Sequence, residues 1–308
     1  MKTLAVANCR SSRVPLPHGH GSETLSASDF LNLVLALMLL AAPAFAQRGA
    51  PQPQAIQQIK PNLYMVTGAG GNSTFRVTPD GVILVDGKLP SEENYTALMA
   101  LIKGVTDKPV KYLIVTHHHA DHTGNNQRFI DAGVQIIATE NLKKNLVTYE
   151  SNPKPASPTM TYPGAEYTLK FGGATVELHH FGNAHTSGDT VVYFPDLKTV
   201  CVSDVVTTGR TGPLIDYAGG GSATDWTNVL AAILKLDFDA AVPGNGDVLT
   251  KADVQAYKTK YDTWLARARE AVKKGVPQDQ LLAQIKTDDL GFTPRVPKID
   301  AFVAELSK

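Results

Sequence analysis

Cysteine and net charge are what this sequence has least of. It contains two cysteines, Cys9 and Cys201, and its 29 basic residues balance 29 acidic ones, so the formal net charge is zero. Nucleic acids and anionic membrane surfaces select proteins with a surplus of positive charge, so the sequence predicts neither as a partner. If Cys9 belongs to a segment that is removed, one thiol remains and no internal disulfide can form.

The sequence also lacks an apolar run long enough to span a bilayer, which needs about 20 residues. Its most apolar stretch, "LVLALMLLAAPAFAQ" at 33–47, has ten apolar residues, then Pro43 and the small-x-small site Ala44-Phe45-Ala46. This pattern is typical of a secretory signal peptide. A buried core helix is the alternative, but no amphipathic partner pattern lies nearby. We therefore predict a signal peptide over 1–46 with a long n-region.

Export predicts a periplasmic or secreted protein. No cysteine follows the apolar run directly, so we expect no lipid attachment and no membrane anchor after processing. Residues 47–308 are predicted to form one domain, with a core at about 59–260 and C-terminal helices within 251–308. The Pro- and Gln-rich start of this domain, 47–58, is predicted to be a flexible lead-in.

Strand-like and helix-like segments alternate along the first half of this domain. The helix over 91–104 is the best marked, because Ser91 caps it, two acids follow in the first turn and a glycine ends it. Short apolar runs bounded by turn residues predict strands. These strands are 63–67, 73–77, 81–87, 111–116 and 134–138, and further helices are predicted over 125–133 and 139–150.

The second half opens with a Pro-rich loop over 151–164, long enough to shape the entrance of a site. Strands are then predicted over 167–171, 174–181, 190–194 and 198–203, followed by a helix from about Asp225 to Leu236 and two or three terminal helices. Strands dominate each half and helices close it. This order predicts an α/β fold in which two packed sheets have helices outside, a four-layer sandwich.

The stretch "THHHADHTG" at 116–124 carries the strongest functional signal. It follows a predicted strand, and alternation along the chain directs His117 and His119 to one point while Asp121 and His122 turn to a neighbouring one. Imidazole and carboxylate together suit zinc, or less selectively iron or manganese. A solvated His-rich loop is the alternative, but it requires neither an acid at this offset nor a helix start.

"HHHADH" resembles the HxHxDH signature of the metallo-β-lactamase superfamily, and the likeness runs from about 59 to 260. "VILVDG" resembles the strand of that family that ends in an aspartate, here Asp86. "GNAHTSGDTVVYF" and "KTVCVSD" resemble the motifs that supply a third histidine and a second acid, here His185 and Asp204. The resemblance implies the αβ/βα sandwich, with metals at the sheet edges and Asp86 orienting the metal loop through hydrogen bonds.

The resemblance also implies two sets of metal ligands. The first metal is assigned to His117, His119 and His185, which leave one position for water, as in a catalytic zinc site. The second set is Asp121, His122 and Asp204, with Asp204 shared between the metals. A metal-bound hydroxide is then expected to attack a carbonyl, and Asp121 is the expected catalytic residue that orients or deprotonates the water.

One motif departs from the family pattern. "VPGNGDV" at 242–248 matches a motif that normally reads proline-glycine-histidine-glycine, so Asn245 stands in the position of the last histidine. No histidine follows His185, and an amide is a weaker donor to zinc than imidazole. We expect one firmly bound zinc and a second that is weak or absent. In the alternative, Asn245 ligates a metal or its water and both metals remain.

The expected function is hydrolysis of a small-molecule ester, lactone, thioester or lactam by an exported zinc enzyme. A β-lactamase of the His-rich subclass is one alternative, although it should retain the last histidine. A catalytically impaired metal- or ligand-binding protein is the other, supported directly only by Asn245.

Several other residues receive weaker predictions. Tyr217 and Gly220, in the glycine-rich loop, are predicted to lie near the substrate. His118 is expected beside the ligands or at the surface. His179, His180 and Cys201 are expected to be structural.

Overall fold

Two β-sheets form the centre of the protein in the computed structural model, which describes residues 53–208 and 212–308. The predicted signal peptide at 1–46 lies outside the described residues. The strands of the first sheet lie in chain order: β1 (Ala55–Lys60), β2 (Leu63–Thr67), β3 (Ser73–Thr78), β4 (Gly81–Val85), β5 (Val110–Ile114), β6 (Gln135–Thr139) and β7 (Met160–Tyr162).

The second sheet has the strand order β12-β11-β10-β9-β8. Its strands are β8 (Glu166–Phe171), β9 (Ala174–His179), β10 (Val191–Phe194), β11 (Thr199–Thr207) and β12 (Ala240–Asn245). Pairing is antiparallel from β1 to β4 and from β8 to β11, but parallel from β4 to β7 and between β11 and β12. The parallel strands therefore end together at one edge of each sheet.

The helices are α1 (Glu92–Lys103), α2 (Ala120–Thr123), α3 (Asn126–Asp131), α4 (Glu140–Thr148), α5 (Ala223–Ile233), α6 (Lys251–Lys273), α7 (Gln278–Gln284) and α8 (Ile299–Leu306). Among these described helices, none has the length and apolar character that a membrane crossing needs. Side-chain caps define several helix starts, such as the Ser91 oxygen that accepts from the Asn94 amide of α1.

The two-residue period of the strands divides their side chains between layers. In β4, Val82 and Leu84 pack with apolar residues of α1, α3 and α4, whereas Ile83 and Val85 join the layer between the sheets. In β11, Val200 faces α5 and α6 while Cys201 faces the first sheet. Helix, sheet, sheet and helix are thus separated by three apolar layers, which confirms the predicted four-layer sandwich.

Two edge strands were not predicted from the sequence. β1 begins at Ala55, inside the stretch 47–58 predicted to be flexible, and pairs with β2. The short β7 lies inside the predicted Pro-rich loop and pairs with β6. The side chains of β1 are largely exposed, so its apolar alternation is weak. Pairing with a neighbouring strand, rather than burial of a patterned face, accounts for its structure.

The C-terminal residues hold the loop 212–222 in place. An isolated parallel bridge joins Leu214 to Arg295, with hydrogen bonds from the Ile215 amide to the Arg295 carbonyl and from the Arg295 amide to the Pro213 carbonyl. In α8, the Glu305 carboxylate accepts five hydrogen bonds from this loop and the start of α5. The donors are the hydroxyls of Tyr217, Ser222 and Thr224 and the amides of Ala223 and Thr224.

We expect Glu305→Gln to lower the free energy of unfolding by about 1–3 kcal/mol at neutral pH, since hydrogen bonds to a charged acceptor are lost. Burial raises the pKa of Glu305, but the donors of Ser222, Thr224 and Tyr217 offset this and place it below the ordinary 4.5. The ionised group therefore stabilises the fold above pH 4.5, and its contribution disappears as the pH falls through the lowered pKa.

Urea denaturation of both proteins, at neutral pH and in acid, measures this difference. The exposed Glu270, which forms an ion pair with Lys274 at the end of α6, provides the control substitution Glu270→Gln. An equal loss from both substitutions, or a Glu305 effect that does not diminish in acid, would contradict the assignment.

Candidate metal centre

The His-rich loop lies where strands from both sheets end. Asp86 directly follows β4, and Thr116 and His117 follow β5, so the parallel pairing places them side by side. Asp204 comes from β11 of the second sheet, near the end of β12. α2 then carries Asp121 and His122 back over the same edge. The fold therefore collects residues that are up to 118 positions apart.

Three imidazoles converge at the first point. The ligating nitrogens of His117, His119 and His185 all lie within 4.8 Å of one another. Nε2 of His185 is 3.0 Å from Nδ1 of His119. Nε2 of His117 is buried and, within the described residues, makes no hydrogen bond. A buried imidazole nitrogen without a partner is costly, unless it binds an ion.

Contacts behind each ring decide which nitrogen faces this point. Nδ1 of His185 donates to the Leu214 carbonyl at 2.6 Å, and Nε2 of His119 donates to Asp216 Oδ2 at 2.9 Å. A carbonyl and a carboxylate only accept, so these nitrogens carry the protons and leave His185 Nε2 and His119 Nδ1 as free lone pairs.

A second cluster lies beside the first and shares His117 with it. Ligating atoms of His117, His122 and Asp204 lie within 4.8 Å of one another. Nε2 of His122 is 3.5 Å from Asp204 Oδ1 and 3.5 Å from Asp121 Oδ2. The other Asp204 oxygen is 3.7 Å from Nε2 of His185. Asp204 therefore lies between the two clusters.

The charges of these groups fit a divalent cation. Burial lowers the pKa of His117 well below its ordinary value and also lowers that of His185, so both rings are neutral donors. Burial lowers the pKa of His122 as well, but the carboxylates of Asp121, Asp86 and Asp204 together raise it well above its ordinary value. The acids thus favour positive charge at His122, and a metal ion would supply that charge without the proton.

The two acids of the second cluster are ionised. Burial raises the pKa of Asp121, but His122 and His119 lower it below its ordinary value, and His122 acts on Asp204 in the same way. Asp204 Oδ1 is buried and, among the described residues, accepts no hydrogen bond. With the unpartnered nitrogens of His117 and His122, this oxygen indicates that the residues present fit a metal ion.

Asp86 lies behind the ligating atoms. Its oxygens accept from the Thr116 amide at 2.9 Å, from the Thr116 hydroxyl at 2.8 Å and from Nδ1 of His122 at 2.8 Å. Its backbone is left-handed, with φ at 62°. The contacts turn Nε2 of His122 towards Asp121 and Asp204.

Asn245 ends β12, where it pairs with Thr207 of β11. Its carbonyl accepts from the amide and hydroxyl of Thr208, at 3.1 and 3.0 Å. The preceding residue, Gly244, lies so close to Asp204 that a Cβ there would be 1.9 Å from the carboxylate oxygen. Asn245, predicted to replace the last histidine, therefore directly follows a residue that contacts the Asp204 carboxylate.

The loop 68–72 closes the other side of the second cluster, and sequence reasoning did not single it out. A Cβ on Gly71 would lie 2.3 Å from Cε1 of His122, so only glycine fits against that ring. Asn72 ties the loop to β12, because its side-chain amide donates to the carbonyls of Pro243 and Gly246 at 3.0 and 2.9 Å.

Lys88 supports the same loop and was also missed. Its side chain is fully buried, and Nζ donates to the carbonyls of Val66 and Gly71 at 2.6 and 2.8 Å. Burial lowers the pKa of Lys88 to about 7, although Asp86 and Asp121 act in the opposite direction. Its position directly after "VILVDG" was the only sequence signal for a role at this site. A lysine in such a loop is normally expected to be exposed.

Asp216 is a further residue that the sequence did not reveal. Its Oδ2 lies 2.9 Å from Nε2 of His119 and 3.4 Å from Nε2 of His118, and its Oδ1 accepts from the Gly219 amide. Burial raises the pKa of Asp216, but these hydrogen bonds hold it far below the ordinary range. His118 is buried beside the predicted ligands, with Nε2 directed at the Asp216 carboxylate.

A cavity of about 490 Å³ opens over these residues. The cavity is lined by His119, Asp216 and Tyr149, and by Ala218 and Gly219 of the glycine-rich loop. Tyr217 and Gly220, predicted to lie near the substrate, flank the two residues of this loop that line the cavity. The Tyr217 hydroxyl donates to Glu305, and Gly220 lies against Ser187.

The remaining candidates lie outside the two clusters. His179 is buried, with Nε2 3.3 Å from Glu177, and Nδ1 of His180 lies 2.8 Å from the Asp189 carbonyl. Cys201 is in the layer between the sheets, where burial raises the pKa of its thiol to about 12.

Known proteins resemble this chain along most of its length. The model of the metallo-beta-lactamase superfamily matches residues 66–245. The chain is 31% identical over 230 residues to "2,4-dinitroanisole O-demethylase subunit alpha" of Nocardioides sp. (strain JS1661), covering 73% of this chain and 68% of that protein. It is 27% identical over 217 residues to "Metallo-beta-lactamase type 2" of Elizabethkingia meningoseptica, covering 66% and 81%.

Solved structures share the fold at lower sequence identity. The DIM-1 metallo-beta-lactamase aligns with a TM-score of 0.59 and 21% identity, over 70% of this chain and 99% of that one. The sec-alkylsulfatase Pisa1 from Pseudomonas sp. aligns with a TM-score of 0.63 and 16% identity, over 82% of this chain and 49% of that one.

Asp216→Asn should weaken metal binding by about 10- to 100-fold, the usual effect of losing a carboxylate behind a metal-binding histidine. The amide removes the charge that holds the proton on Nε2 of His119. Competition with a chromophoric chelator measures the affinity, and Asp196→Asn, at an exposed pair with Arg76, is the control. Unchanged affinity in Asp216→Asn would show that the carboxylate does not orient His119.

Gly71→Ala should displace the His122 ring and reduce metal content, because the added Cβ would lie 2.3 Å from it. The cost to stability should be about 1–3 kcal/mol, as for other overpacked sites. Gly104→Ala is the control, since Gly104 has helical backbone angles and its nearest contact would be 3.4 Å away. Elemental analysis and urea denaturation of both variants test this, and equal behaviour would refute the contact.

Proposed function

Because the chain belongs to the metallo-beta-lactamase superfamily and is a metal-dependent hydrolase, we propose that it is a zinc enzyme that hydrolyses a small carbonyl substrate. The substrate class is an ester, lactone, thioester or lactam. The observation that carries this proposal is the convergence of His117, His119 and His185 beside a cavity of about 490 Å³.

Three imidazoles are a donor set that zinc prefers, and they leave a coordination position open. A zinc ion held there would polarise a substrate oxygen and lower the pKa of water to about 7. The contacts of His119 with Asp216 and of His185 with Leu214 fix the two rings in advance, so binding the ion requires little rearrangement.

Asp121 has the position of a proton acceptor. Its side chain is about one-third exposed and lies beside His122 and His119, at the side of the clusters that meets solvent. Its ionised oxygen can hold an attacking water by a hydrogen bond and accept its proton as the water oxygen adds to the carbonyl carbon. This is the role we propose for Asp121 as the catalytic residue.

The second cluster is proposed to hold an ion weakly. Asp121 Oδ2 and Asp204 Oδ1 each lie 3.5 Å from Nε2 of His122, so two carboxylates stand beside one imidazole. The neighbouring strand β12 ends in Asn245 instead of a histidine. An amide oxygen is a poor ligand for zinc. The proposed enzyme therefore acts with one firmly bound zinc, and favours substrates whose leaving group departs easily.

A second candidate activity is the hydrolysis of an activated aryl ether. It is favoured by the 31% identity to a protein named 2,4-dinitroanisole O-demethylase subunit alpha. In that reaction class, water would add and an alcohol and a dinitrophenol would be released. Such a phenol is a good leaving group, which agrees with a site that lacks a strong second ion. The relatives named as β-lactamases support a lactam instead, at 27% identity or less for the type 2 enzymes.

We also propose that the enzyme is exported to the periplasm or secreted. The support is the apolar run within 33–47 and the small-x-small site that follows it.

Metal content and hydrolysis together test the proposed function. The protein is purified without a His-tag, loaded with zinc and analysed for metal, then assayed with a p-nitrophenyl ester, a lactone, a thioester, a chromogenic lactam and 2,4-dinitroanisole. We expect one zinc per chain and turnover of at least one carbonyl substrate. Zinc binding without turnover of any substrate would overturn the hydrolase proposal in favour of a metal-binding protein.

Asn245→His tests the second cluster in the same assays. A new imidazole should raise zinc content to two per chain and accelerate hydrolysis of the lactam, whose leaving group is poor. Two zinc ions in the unmodified protein would show that the asparagine does not weaken the site. His180→Asn, at a histidine away from both clusters, should leave the metal content unchanged.

A further inference from the structure

Tyr149 contacts the His-rich loop in space but comes from a different part of the chain. It follows the last residue of α4, and its amide bonds to the Asn145 carbonyl at 3.0 Å, which fixes its backbone to the helix end. Its hydroxyl oxygen accepts a hydrogen bond from the Ala120 amide at 3.1 Å. Ala120 lies between the proposed ligands His119 and Asp121, so the phenol oxygen is held at the metal centre.

The ring of Tyr149 is fixed as firmly as its hydroxyl. Its centroid is 4.9 Å from that of His118 in an edge-to-face contact, and 5.6 Å from that of His119. Tyr149 also lines the cavity together with both histidines. Rigid placement at a cavity wall is what a group needs if it is to meet a substrate at a defined angle.

The Tyr149 hydroxyl has a hydrogen to donate. A backbone amide can only donate, so the contact with Ala120 uses an acceptor position of the phenol oxygen and leaves its O–H available. A substrate oxygen beside His119 would be the natural acceptor. In an ester, the leaving-group oxygen gains negative charge when its bond to the carbonyl carbon breaks, and it then becomes a stronger acceptor.

Other polar groups of the cavity wall are engaged or unsuited. The Asn145 side-chain amide donates to Ser187 Oγ and to the Gly219 carbonyl, and the Thr148 hydroxyl donates to the Asn145 carbonyl. Asp216 can only accept, and Nε2 of His118 faces it. Lys298 is exposed at the rim. Tyr149 is thus the neutral donor best placed next to His119.

We propose that Tyr149 donates a hydrogen bond to the leaving-group oxygen of an ester or lactone substrate and stabilises its developing negative charge. This inference rests on the proposed hydrolase function. In the step, the water oxygen bonds to the carbonyl carbon while one of its two protons passes to Asp121. The bond from that carbon to the leaving oxygen then breaks, the electron pair stays on that oxygen, and the alcohol or phenol departs as its anion, leaving the carboxylic acid. Tyr149 keeps its proton throughout. This role would compensate in part for the weak second ion that the proposed function assumes.

Tyr149→Phe removes the hydroxyl and keeps the ring between His118 and His119. Tyr112→Phe is the control, because Tyr112 packs on Phe171 between the sheets, at a centroid distance of 5.0 Å. Zinc content should be the same in both variants and the unmodified protein. p-Nitrophenolate serves as a probe of the leaving oxygen, since its absorption band moves to shorter wavelength when that oxygen accepts a hydrogen bond.

We expect Tyr149→Phe to bind p-nitrophenolate about 10-fold more weakly, the size of one hydrogen bond to a charged oxygen, and to lose part of the spectral shift. In a series of aryl esters, its kcat should fall more as the leaving phenol becomes more basic. Tyr112→Phe should match the unmodified protein in affinity, spectrum and kcat.

Unchanged p-nitrophenolate affinity and spectrum in Tyr149→Phe would overturn the proposal, and so would an equal fall in kcat for every ester. A fall in zinc content would assign Tyr149 a structural role instead. If the zinc-loaded protein turns over none of the assayed substrates, the proposed function fails by itself, and p-nitrophenolate binding still decides whether Tyr149 donates to such an oxygen.

Discussion

The buried carboxylate of Asp86 is the contact on which the geometry of the metal centre depends. It joins the ends of β4 and β5 through Thr116, and it orients His122 of α2 through Nδ1. The Ser203 hydroxyl, from the second sheet, lies 2.7 Å from the Thr116 hydroxyl that bonds to Asp86. One anion therefore connects two strands of the first sheet, the His-rich loop and the edge of the second sheet. Its burial makes these contacts strong, since an unpaired carboxylate there would be costly.

Two further imidazoles follow the same rule, since an acceptor behind each ring fixes its orientation. Asp216 serves His119 and the Leu214 carbonyl serves His185, and both acceptors come from a loop that Glu305 and the C-terminal bridge hold in place. The support of the centre therefore extends to the last helix of the chain. Residues that never approach the substrate thus determine the site geometry.

The sequence predicts those parts of the structure that depend on local pattern. Strand alternation, helix caps and the spacing of His117 and His119 each lie within a few residues, so the layers and the His-rich loop could be predicted. Asp216 and Tyr149 contact residues distant in the chain, and no local pattern marks them. Lys88 directly follows "VILVDG", but only its contacts with Val66 and Gly71 show that its side chain is buried. Edge strands such as β1 were not predicted for a related reason, since they form by pairing with a neighbouring strand and not by burying a patterned face. The orientation of Tyr217 could not be predicted either, because it depends on the hydrogen bond from its hydroxyl to Glu305, 88 residues away.

The contacts of Asn72 have a consequence for folding order. Its side chain joins the first sheet to the strand end at Pro243 and Gly246, 171 and 174 residues away. Contacts at such separation require closure of a long loop, so they form only after both sheets have docked. We therefore expect the candidate metal centre to be completed late in folding. An ion held there would then slow unfolding more than it changes the folding rate.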